Sequence, residues 1–84
     1  RDYKEAMRYY RWAFEANPKN TFEYYLRYVE VAKMQGDKDA IEKIRPVVAE
    51  LIEEYIPLYE KNLHFTQRDG EIDYVKQLQK LLDI

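Results

Sequence analysis

Apolar residues recur along this chain at the three- and four-residue spacing of a helix, with polar residues filling the opposite side. Tyr3, Ala6, Met7, Tyr10, Ala13 and Phe14 form the first stripe and predict a helix from about Asp2 to Ala16. Pro18 closes it, because a proline pushes the residue before it out of the helical region and has no backbone donor. Asn20 then supplies an N-cap, with Glu23 three residues on as the second half of a capping box. A second helix, about Thr21 to Gln35, is predicted to bury Phe22, Tyr25, Tyr28, Val29 and Ala32. Gly36 suits the left-handed position that ends a helix, and Asp37 caps the next one.

The third stripe starts near Lys38 and runs through Ala40, Ile41, Ile44, Val47, Val48, Leu51 and Ile52. Pro46 lies inside it and predicts a bend, since the apolar phase passes straight through. Pro57 leaves two readings open. Tyr55, Ile56, Tyr59 and Leu63 continue the stripe and favour one long bent helix to about Phe65. Proline also suits the first position of a new helix, and the internal period described next tips the balance toward a break at Glu53 to Ile56. Residues 66–70 read as a loop, followed by a last helix from about Glu71 to Asp83 that buries Ile72, Val75, Leu78, Leu81 and Leu82.

Several equivalent positions are 34 residues apart: Ala6 and Ala40, Tyr10 and Ile44, Ala13 and Val47, Gly36 and Gly70, Tyr25 and Tyr59. A fixed period of this length is the mark of a stacked repeat. Ala6, Tyr10, Ala13 and Pro18 show the spacing Ala-x3-aromatic-x2-Ala-x4-Pro, which resembles the second helix of a tetratricopeptide repeat. The resemblance is carried by residues 2–20, is thinner over 22–47 and fades beyond. It implies an all-α fold of antiparallel helix-turn-helix units, an α-solenoid fragment. Residues 1–20 would be half a repeat, 21–52 a repeat, and 53–84 a divergent repeat with a C-terminal capping helix. Val29 stands where the family has a small residue, and Ile52 where proline would end the middle unit. In such a stack a preceding helix would cover Tyr9 and Trp12, which lie off the first stripe; otherwise the two rings are simply part-exposed. Arg1 rather than methionine opens the chain, which predicts a piece of a longer protein.

Composition sharpens this picture mainly by exclusion. At 84 residues the chain is one small domain or a fragment of a larger one, and 46% hydrophobic with 36% charged residues excludes disorder by composition. A net charge of −2 with both signs interspersed gives no general drive toward nucleic acid or anionic membrane. The longest apolar run is far short of a membrane span, which predicts no direct insertion, and no secretory signal is visible. With no cysteine, disulfides and thiolate sites are excluded; the cytoplasm is the expected compartment.

The residues for catalysis are missing too. There is no serine or cysteine to act as nucleophile, and no Gly-rich phosphate loop. His64 is the only histidine, so no metal site is expected, and no cofactor. Arg1, Lys4, Arg8 and Arg11 form a basic stripe that reads best as a solvated outer face, interrupted by Asp2, Glu5 and Glu15. A non-catalytic chain that binds a protein or peptide is the expectation.

By the resemblance, a concave groove would present Glu23, Leu26, Arg27, Glu30 and Lys33 from the second helix. Glu60, Lys61, His64 and Gln67 would line the next ridge. Arg27 and Lys61 hold basic places matching the family's carboxylate clamp, but its asparagines are absent. Two other functions stay open. One is self-association, through an unbroken 38–65 helix whose Ile44, Val48, Leu51, Tyr55 and Tyr59 stripe pairs with another copy, or through Tyr9 and Trp12. The other is an accessory tail on a larger enzyme, such as a glycan-transferring membrane protein.

Overall fold

The computed structural model describes residues 2–17, 22–61 and 71–84, and these form an all-α fold of four helices. They are α1 (Tyr3–Ala16), α2 (Phe22–Gln35), α3 (Lys38–Glu60) and α4 (Glu71–Leu82). Side-chain caps start α1 and α3, the one at Asp37 expected from the sequence. The Asp2 carboxylate accepts from the Glu5 N–H at 3.2 Å, and the Asp37 carboxylate from the Ala40 N–H at 3.1 Å. At the end of α2, Gly36 has φ +69°, the Asp37 N–H donates to the Ala32 carbonyl and the Gly36 N–H to that of Lys33. This double bond pattern closes a helix on a left-handed residue, and glycine adopts that conformation without a side-chain penalty. Asp83 takes the same role after α4 at φ 60°, with the Ile84 N–H donating to the Gln79 carbonyl.

Side-chain contacts fix the topology. Phe14 late in α1 stacks on Tyr25 early in α2, with ring centroids 4.1 Å apart. Phe22 meets Tyr55 edge-on at 5.2 Å, while Ala32 and Ile41 share a cleft, so α2 and α3 are antiparallel as well. Arg45 Nε donates to the carbonyl of Leu82 at 3.0 Å, and the same guanidinium pairs with Glu42. That contact ties the end of α4 back onto the first half of α3, placing a cation where the carbonyls of a helix end collect negative charge.

α2 is the hub. α1, α3 and α4 each pack on it, and Phe22, Tyr25, Leu26, Val29 and Ala32 are all buried. α1 buries only Phe14 fully, with Tyr3, Ala6, Met7, Tyr10 and Ala13 half-buried.

The break expected at Glu53 to Ile56 does not occur. α3 is continuous from Lys38 to Glu60 and carries both Pro46 and Pro57 in its interior. Ile41, Ile44, Val48, Ile52 and Tyr55 are buried in one phase, whereas both prolines face outward. The carbonyls they deprive of a partner, those of Glu42 and Glu53, belong to exposed residues, where water can satisfy them. The internal period is a weaker constraint than an unbroken apolar face. The same burial corrects the idea that this stripe is free for a second copy: Ile44, Val48 and Tyr55 belong to the chain's own core.

Val47, expected to be buried, is 44% exposed, because α1 does not reach across to it. α4 buries Val75, Leu78 and Leu82, with Ile72 and Leu81 partly covered. The Pro18 stop, the Asn20 cap, residues 63–65 and the 66–70 loop with Gly70 lie outside the described residues.

Candidate functional site

The structure presents three surfaces open to function, of which the sequence had marked two. The first is the predicted groove face of α2. Glu23, Arg27 and Glu30 do come together on one stripe. The Arg27 guanidinium hydrogen-bonds Glu30 at 3.0 Å and lies 3.7 Å from Glu23. The bond to Glu30, reinforced by the charges of both glutamates, raises the Arg27 pKa against a smaller opposing effect of burial. Charge on this stripe is thus largely satisfied within the chain.

Leu26 does not belong to the stripe: it is 0% exposed and part of the core, a quarter-turn away from Arg27 on the helix. Lys33 is exposed, at the edge of a cleft with Gly36, Lys38 and Ile41. Glu60 and Lys61 are exposed at the C-terminal end of α3, rather than on the first helix of a separate third unit. His64 and Gln67 lie outside the described residues.

The second surface is aromatic. Tyr9 is 54% and Trp12 68% exposed, with ring centroids 6.4 Å apart. Tyr9 also packs edge-on against Tyr10 at 5.6 Å and Tyr24 at 6.3 Å, so the rings form one cluster across the outer side of α1 and α2. The neighbouring Tyr9, through charge and a side-chain hydrogen bond, is the chief cause of a raised Tyr24 pKa. Large rings held against one another and left in water are a common mark of a surface that another molecule covers.

The third surface was not foreseen as a site. α1 and α3 run parallel on the same side of α2 without closing on each other, which leaves a crevice between them. One part, about 430 Å³, has a floor of Phe14, Tyr25, Tyr28, Ile44 and Val47 and a rim of Arg11, Glu15 and Lys43. A second part, about 270 Å³, continues from the shared Arg11 and Tyr28 to Met7, Lys4, Arg8 and Asp37. Burial is the main cause of raised pKa values at Tyr25 and Tyr28, with Glu15 adding to both and Arg11 opposing at Tyr28. Lys4, Arg8 and Arg11, expected on a solvated outer face, form one wall of this crevice, while Arg1 lies outside the described residues. The other wall needed the packing of α3, which no local pattern encodes.

Among the described residues no cluster of three or more His, Asp or Glu side chains could hold a metal ion. Nor is any helix among them long and apolar enough to cross a membrane. The class defined by this architecture is a small all-α protein with an exposed aromatic patch and a half-open interhelical crevice. No family model, curated protein or solved structure matches the chain.

Proposed function

We propose that the chain is a non-catalytic protein-interaction module, built as a piece of a tetratricopeptide-like helical array. The observation that carries the reading is the Tyr9/Trp12 patch, exposed on a helix whose opposite face is already engaged with α2. Aromatic side chains in such positions anchor protein contacts, since each buries a large area at little rotamer cost. The order of packing supports an array: α2 touches both the helix next to it and the helix two further on. Another repeat helix, or a partner's helix, would complete the coat around α1. The module would act in the cytoplasm and without a cofactor.

The test begins with solution mass by light scattering across a hundredfold concentration range, for the natural chain and for Trp12→Glu. A photo-crosslinking residue at position 12 is then irradiated in an extract of the source organism, with position 53 as an exposed control. Crosslinks to a distinct protein at position 12 alone support the module. Crosslinks equal at both positions, or at neither, would sink it. A dimer that Trp12→Glu dissolves would instead favour self-association through the aromatic patch, the second reading that the same rings support.

A further inference from the structure

The crevice between α1 and α3 has a feature that the aromatic patch lacks: its charge runs against that of the whole chain. Four cations stand on it, Lys4, Arg8, Arg11 and Lys43, against the two carboxylates of Glu15 and Asp37. The chain as a whole carries −2. Asp37 is also occupied, its carboxylate accepting from the Ala40 N–H at the start of α3. Arg8 and Arg11 are paired with Glu5 and Glu15, but both pairs are well exposed. Such pairs contribute little and exchange readily for a better carboxylate. Lys4 and Lys43 make no ion pair among the described residues.

Shape narrows the ligand further. The α1 wall from Lys4 to Glu15 spans twelve residues, about 16 Å at the helical rise and the length of about three turns of a helix. Its floor is apolar, its α1 rim carries Lys4, Arg8 and Arg11, and Lys43 stands on its α3 rim. A helix whose apolar residues repeat at i, i+3, i+4 and i+7, flanked by acidic residues, matches both features. We infer that the α1/α3 crevice docks an acidic amphipathic helix of about three turns, its apolar stripe on Phe14, Tyr28 and Val47 and its carboxylates on Lys4, Arg11 and Lys43. This site is separate from the Tyr9/Trp12 patch, so either can fail alone.

The probe is a fluorescein-labelled peptide of fourteen residues, with Leu and Phe at helical spacing and Glu on both flanks. Its anisotropy is followed on titration with the full chain. Binding is expected to weaken about tenfold or more with Lys4→Glu/Lys43→Glu, and several-fold between about 50 and 200 mM salt. Trp12→Glu should bind as the natural chain does. Lys4 and Lys43 are exposed, so the double variant should fold normally, which circular dichroism checks. A Val47→Asp variant attacks the floor independently.

Loss of binding with both variants, together with a gain of peptide helicity, supports the inference. Four results overturn it: no binding at millimolar concentration, indifference to the charge reversal, equal binding of the Glu→Gln peptide, or tighter binding of a short single-stranded RNA.

Discussion

α1 and α2 have the same length, fourteen residues each, and both are rich in aromatics. Yet α2 contributes five buried residues and α1 one. The rings themselves do not explain this: Tyr25 of α2 is buried against Phe14, whereas Tyr9 and Trp12 of α1 stand in water. What differs is the number of neighbours. α2 is packed on by three helices, and α1 leans chiefly on one. An aromatic residue thus reports a surface able to be buried, and the tertiary arrangement decides whether this chain buries it or leaves it for another.

The comparison can be broken at its strongest point by Leu26→Ala. Leu26 is fully buried in α2, so its truncation should cost about 2–5 kcal/mol in urea unfolding. A cost below about 1 kcal/mol would mean that α2 is not the hub. Next in size is Arg45→Ala, which removes the hydrogen bond to the Leu82 carbonyl and frees the end of α4. About 1–2 kcal/mol should be lost, read in the same way.

The tyrosines of the hub give a third test, through pH. Burial raises the pKa of Tyr25 and Tyr28 above the ordinary value near 10. The folded chain therefore holds these phenolic protons to higher pH than the unfolded chain does. Their contribution to stability is complete below the unfolded value and is lost as pH rises through it toward the folded values. Urea midpoints should accordingly fall above about pH 10, and Tyr25→Phe should flatten part of that fall.

Smaller effects sharpen the picture. Asp83 holds a left-handed conformation that favours glycine, so Asp83→Gly should raise stability by a few tenths to about 1 kcal/mol in thermal unfolding. Trp12→Ala should move stability by no more than about 0.5 kcal/mol, the smallest change in the series. A large loss there would show the exposed ring to be part of the fold.

Much of the framework was legible locally. Gly36 and Asp37 marked helix ends because capping is a contact between near neighbours in sequence. The long α3 was legible too, in the phase of Ile44, Val48, Ile52 and Tyr55, but the 34-residue period pulled the reading toward a break. A period records how units relate, whereas apolar phase records where the chain must be covered, and the second has direct energetic force. Leu26 was misplaced for a similar reason. Its position was carried over from a repeat pattern, although Phe22, Leu26 and Val29 already lie on one helical face. The crevice was only half legible. Its α1 wall is a local stripe, but the gap beside Val47 exists because α1 and α3 share a partner without touching much themselves.

The position of α4 against α2 also has a consequence in time. The two helices pack together, although α4 begins 36 residues after α2 ends. On a ribosome adding about 5–20 residues per second, α2 emerges seconds before the helix that completes its cover. During that interval part of the hub's apolar surface has no mate within the nascent chain. The Glu23, Arg27 and Glu30 stripe, already paired within α2 itself, is available from the start as a polar flank that keeps the waiting helix hydrated.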